Sequence, residues 1–197
     1  MLISSLYRFG QWASRTIRGR REPTSTLAPA AAARQLHHEI LAQARSAVFY
    51  EAFGVPDTPD GRFDMIALHA ALVMRRLRAD PTVSPAVAQF LFDQMFAGFD
   101  ESLREMGVGD LRVGKVVKAL AKGFYGRLAV YGSCLDAVDH QGLQDALRRN
   151  VYRHCEPDRN KVSALTDYVF AEAEWLAQRS GEHLLAEGVR FRVPVIA

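Results

Sequence analysis

The sequence predicts an all-α fold, a single globular domain of about six helices behind an amphipathic N-terminal segment. Three observations predict it. Apolar residues recur at three- and four-residue steps along most of the chain's 197 residues, the spacing that lays a stripe along one helix face. No two-residue alternation runs long enough to build a sheet, and no internal repeat is present. The punctuation is that of helices: Ser84 followed by Pro85 reads as a cap and first turn, Gly107 as a left-handed stop, and Asp110 as the next cap. A hydrophobic content of 49% and a charged content of 24% are those of an ordinary globular domain. A chain of this length buries a core without staples. The helical domain is placed at 31–187, after a leader and linker over 1–30 and before a tail over 188–197.

Residues 2–18 can be drawn as a helix with Leu2, Leu6, Phe9, Ala13 and Ile17 on one side and Arg8, Arg15 and Arg18 on the other. That segregation fits an interfacial helix on an anionic membrane surface. The linker from Gly19 to Ala33 is rich in proline, serine, threonine and alanine. The first helix of the domain is expected over 32–49. "FGVPDTPDGRF" follows as a loop, with a tight turn at Pro59, Asp60 and Gly61. Further helices are expected over 63–79, from Ser84 to about Met106, over 111–136, 142–154 and 158–180, with a short turn to about Ala186. "VRFRVPVIA" is β-prone but isolated.

The helix over 111–136 carries the buried stripe Val113, Val116/Val117, Leu120, Phe124, Leu128, Tyr131 and Leu135. Beside it runs a basic stripe of Arg112, Lys115, Lys118 and Lys122. Arg127 falls on the buried side, four residues before Tyr131, and a buried guanidinium needs a carboxylate or several carbonyls. Asp93 and Asp100, seven residues apart on the preceding helix, are the expected partners. Asp93, Asp100 and Arg127 then form a structural ion-pair network, or they line a charged pocket. Gly123 and Gly126 each cost roughly 1 kcal/mol against alanine in a helix interior. They are read as letting another backbone or a ligand approach beside Arg127, so bulk at Gly126 is expected to be harmful. His69, at the edge of an apolar stripe, is read as a core histidine hydrogen-bonded to a neighbouring loop.

Several function classes have no support. Residues 1–21 contain five arginines and no acid, so a net charge of +3 leaves the remainder slightly acidic. The basic balance belongs to the leader, which argues against a nucleic-acid-binding body. Cys134 and Cys155 form no CxxC and imply a reducing compartment. No stretch approaches the ~20 apolar residues of a membrane span, and the leader does not read as a secretory or twin-arginine signal. No nucleophile elbow, zinc motif, P-loop or dinucleotide fingerprint occurs. No catalytic, metal or cofactor residue is assigned.

Three groups of residues together resemble the ubiquinol–cytochrome c chaperone family, over Tyr50 to Tyr131 and more loosely to Leu176. They are Pro56-Asp57-Thr58 with Gly61-Arg62-Phe63, Leu103-Arg104-Glu105 with Gly107 and Gly109-Asp110, and Phe124-Tyr125-Gly126-Arg127 with Tyr131. The resemblance implies an all-helical, non-enzymatic factor that attends newly made cytochrome b and promotes assembly of ubiquinol–cytochrome c reductase, with a small partner protein. It implies work at the mitochondrial inner membrane, or on the cytoplasmic face of the inner membrane in a bacterium. A basic stripe beside a glycine-lined groove suits recognition of a client helix or loop. Arg104, Asp110, Lys115, Lys118, Lys122, Tyr125, Gly126, Arg127 and Tyr131 are therefore the candidate client-binding residues. Two other readings stand beside this one. One is a protein or enzyme for a lipid- or quinone-like ligand, with a pocket lined by Asp93, Asp100, Arg127 and Tyr131. The other is an adaptor that only tethers two partners.

Overall fold

The computed structural model describes residues 27–194, so the leader drawn over 2–18 lies outside the described residues. Eight helices and no strand occur among them: α1 (Leu27–Ala44), α2 (Ala47–Glu51), α3 (Pro59–Ala79), α4 (Pro85–Glu105), α5 (Asp110–Asp136), α6 (His140–Asn150), α7 (Arg159–Ala177) and α8 (Gly181–Glu187). The core forms around α3, which packs against α1, α4, α5 and α7. Every residue from Phe63 to Met74 is buried, so α3 has no solvent face in that stretch. A helix buried on every side, here with only Asp64 and His69 polar among its enclosed residues, is stable only when neighbours surround it. Around it Leu36, Ile40, Phe49, Phe53, Leu91, Phe124, Leu143 and Leu165 are all fully buried, each side chain stabilising the fold by roughly 1.5–3 kcal/mol.

The predicted caps hold at α4. Ser84 accepts from the Ala86 N–H at 3.3 Å, with Pro85 in the first turn, and Gly107 takes φ 79° just past the end. Several boundaries differ: α1 begins at Leu27, inside the expected linker, and α6 ends at Asn150 rather than at 154. The helix expected over 32–49 breaks at Arg45–Ser46 into α1 and α2, a bend that sends Phe49 into the core while the Tyr50 hydroxyl donates to the Ala44 carbonyl at 2.7 Å. Pro59, Asp60 and Gly61 are not a separate turn but the first turn of α3. Thr58 is its N-cap and accepts from the Gly61 N–H at 3.1 Å. Asp110 is the first residue of α5, and Gly109 holds the cap position.

The C-terminal segment is docked rather than free. The Val189 N–H donates to the Glu39 carboxylate, Trp175 Nε1 donates to the Arg190 carbonyl at 3.0 Å, and Arg192 Nε donates to Glu172 at 2.8 Å. Phe191 sets its ring edge-on to His69 at 5.1 Å. His69 itself bonds Met65 of its own helix at 2.8 Å and Tyr168 of α7 at 2.9 Å, not a loop.

Candidate functional site

α5 is 27 residues long, roughly 40 Å at 1.5 Å per residue, and its two sides differ sharply. Inward it buries Val113, Phe124, Arg127, Tyr131, Cys134 and Leu135. Outward it exposes Arg112, Lys115, Lys118 and Lys122. No acid occurs between Leu111 and Leu135, and none of these four cations pairs with another described residue. The stripe is therefore an unneutralised positive surface.

The buried guanidinium is answered from α3. Arg127 Nη2 stands 2.5 Å from Asp64 Oδ1, and Arg153 Nη2, from the α6–α7 connection, stands 2.5 Å from Oδ2 of the same carboxylate. Burial raises the Asp64 carboxyl above the usual carboxylate range, and the two guanidiniums oppose that rise. Phe63 lies under the Arg127 guanidinium at 5.4 Å. A Cβ on Gly123 would stand 2.9 Å from Arg127 Nη1, so Gly123 makes room for the guanidinium. No other described part of this chain closes on Gly126. It is exposed, and a Cβ there meets nothing within 4 Å.

Asp93 and Asp100 take no part in this centre. Asp93 accepts from Gln89 at 2.7 Å, and Asp100 accepts from Arg104 at 2.6 Å. Arg104 also bonds Asp110 across the α4–α5 turn. The seven-residue spacing does place both carboxylates on one face of α4, but the face that packs is the one carrying Leu91, Met95 and Phe96. Asp64 and Arg153 were not found from the sequence. Asp64 sits in an otherwise apolar run, where a lone carboxylate was the available signal.

Two grooves flank α5. The first, about 510 Å³, lies between α4 and the N-terminal half of α5. Its wall is aromatic: Phe92 stacks on Phe96 at 4.3 Å and on Tyr125 at 5.2 Å. Gly114, Val117 and Ala121 line it together with Lys115 and Lys118. Leu111, 92% exposed, also lines it, and Met106, 58% exposed, lies in the same α4–α5 connection. The second, about 930 Å³, runs between α3 and the C-terminal half of α5, over Ala71, Ala129 and Gly132 and beside Arg75, Arg76 and Arg78. Arg75 is held by Asp136 at 2.7 Å and Arg76 by Asp80 at 3.1 Å.

The nine candidate client-binding residues thus separate. Arg104, Asp110, Lys115, Lys118, Lys122 and Gly126 are exposed and Tyr125 is half-buried, whereas Arg127 and Tyr131 are enclosed. Among the described residues no cluster of His, Cys, Asp or Glu could hold a metal ion, and no helix is long and apolar enough to cross a membrane.

The profile of the ubiquinol-cytochrome C chaperone family matches residues 51–191. The chain belongs to that family. The family match takes in the Asp64 centre, both grooves and the start of the docked C-terminal segment. The chain is 26% identical over 145 residues to ubiquinol-cytochrome c reductase complex assembly factor 1 of Mus musculus, covering 73% of this chain and 49% of that one. The Xenopus laevis counterpart is 23% identical over 140 residues, covering 71% and 70%. The Homo sapiens counterpart is 26% identical over 141 residues, covering 71% and 46%. The chain therefore spans about half the length of the mouse and human relatives it matches. Among solved structures, the Cbp3 homolog from Brucella abortus superposes with a TM-score of 0.74 at 38% identity, covering 84% of this chain and 91% of that one.

Proposed function

We propose that this protein is a non-enzymatic assembly chaperone that holds newly made cytochrome b and promotes assembly of ubiquinol–cytochrome c reductase at the inner membrane. The observation that carries the reading is the family match over 51–191, the region that builds every surface described above. The name shared by the mouse, frog and human relatives supports the reductase complex as the destination. The protein works peripherally, on the cytoplasmic face of a bacterial inner membrane or at the mitochondrial inner membrane, with a small assembly-factor partner. Its client contacts the outer side of α5, where cations and exposed apolar side chains lie together.

The ligand-pocket reading loses its basis in the geometry. Asp93 and Asp100 sit on the outside of α4, Arg127 and Tyr131 are enclosed at α5, and none of the four lines either groove beside α5. A deletion strain provides the test. Assembled reductase should fall while other respiratory complexes persist, and tagged protein should co-purify cytochrome b from detergent-solubilised membranes. Normal reductase in the deletion strain overturns the reading.

A further inference from the structure

We propose that the groove between α4 and α5 takes an apolar peptide helix that carries carboxylates along one edge, and that this is the chemistry of the client segment; the assignment to the client rests on the chaperone reading above. Three observations support it. The first is charge. The stretch Leu111–Leu135 holds five cations and no acid, although the chain as a whole has 22 acids against 25 bases and five of those bases lie in the leader. Arg127 is answered by Asp64, but the other four cations are exposed on this helix with no acid among them, and Lys115 and Lys118 stand in the groove lining without an ion pair to another described residue. A partner of opposite sign is steered to such a surface.

The second observation is shape. Phe92 and Phe96 form one aromatic wall, and Gly114 and Ala121 keep the opposite side low. Low side chains let a second backbone come close, and rigid aromatic walls supply the area that anchors apolar side chains. A Cβ on Gly114 meets nothing within 4 Å, so the space beside it is open to a partner. From Leu111 to Ala121 the lining spans roughly 15 Å of helix, about three turns of a docked partner. The third observation separates a peptide from a flat anionic bilayer. Asp110, one residue before Leu111 at one end of the groove, is exposed, and Asp93 lies near Tyr125 at the other end. A charged lipid surface pressed over the hairpin would meet these acids, whereas a peptide lying in the groove sets its carboxylates against the lysines between them.

The test uses the full-length protein and two labelled synthetic helical peptides, both rich in leucine and alanine, one edged with aspartate and the other with lysine. Fluorescence anisotropy should give the aspartate peptide at least about tenfold tighter binding. K115E/K118E should reverse that preference with an unchanged melting temperature, since both side chains are exposed. G114L should weaken both peptides by filling the groove. Equal affinity for the two peptides, or a preference unmoved by K115E/K118E, overturns the proposal. So does a double variant that loses binding to phosphatidylglycerol vesicles and keeps its peptide preference, because the occupant is then a lipid surface. Reductase levels separate the two readings. If gene deletion leaves reductase normal, the chaperone reading fails. If deletion lowers it but K115E/K118E does not, the chaperone reading stands and the groove is not the client's.

Discussion

Asp64 meets two guanidiniums with one carboxylate, so a net positive charge is held where α3, α5 and the α6–α7 connection converge. The cost of breaking this centre depends on which member is removed. Asp64→Ala leaves the Arg127 guanidinium, 7% exposed, without its carboxylate, and should destabilise by ~3–5 kcal/mol. Arg127→Ala leaves Asp64 with Arg153 and should cost about 3 kcal/mol, the lower end of that range. Arg153→Ala should cost least, because its side chain is 31% exposed. Urea unfolding midpoints of the three variants test the order, and an Arg153 variant weaker than the Asp64 variant would contradict it. The two glycines read the same centre. Gly126→Ala should stabilise by roughly 0.5–1 kcal/mol as an open helix position, while Gly123→Ala should forfeit that gain by crowding Arg127 Nη1. Burial of Arg127 was legible from its place on the stripe. Its partner was not, because Asp64 lies 63 residues away and the stretch of α3 from Phe63 to Met74 is buried on every side, with no polar face to read.

The central helix α3 also sets how the fold responds to acid. His69 is fully buried, and desolvation pulls its imidazole down from 6.5 to about 4 while the Met65 carbonyl partly opposes the fall. The folded pKa lies below the unfolded one, so the unfolded chain binds the extra proton between these values. His69 stabilises fully above pH ~6.5, and its contribution is lost as pH falls from there toward about 4, up to ~3 kcal/mol. His69→Gln keeps a hydrogen-bonding side chain against Tyr168 without the titration. Unfolding free energy measured across pH 4 to 7 should therefore fall more for the native protein than for the variant, and equal slopes would remove His69 as the cause. Elements were legible unevenly along the chain. The ends of α4 were read correctly because Ser84-Pro85 and Gly107 each have one conformational meaning. The start of α3 was not, since Pro-Asp-Gly serves equally as a turn and as a helix's first residues. The docking of 188–194 was hidden because its partners Glu39, Gln43 and Glu172 come from distant helices.

At the scale of the whole molecule, charge is divided between two basic regions, the leader and α5, against an otherwise acidic body. The two regions should do different work. The leader combines five arginines with Leu2, Leu6, Phe9 and Ile17, the composition of an anchor to anionic lipid, which gains from both apolar burial and counter-charge. The folded body from residue 27 onward has its own core, so removing 1–21 should leave the melting temperature unchanged. It should also shift the protein from the membrane fraction to the soluble one. Polybasic attraction is screened over a Debye length of ~8 Å at physiological ionic strength, so raising salt should release the intact protein from anionic vesicles. K115E/K118E, by contrast, should leave vesicle binding in place, because those lysines are assigned to a peptide. Fractionation and vesicle sedimentation at low and high salt make the comparison directly. A truncated protein that stays on the membrane, or vesicle binding indifferent to salt, would move the anchor off the leader and onto the folded body.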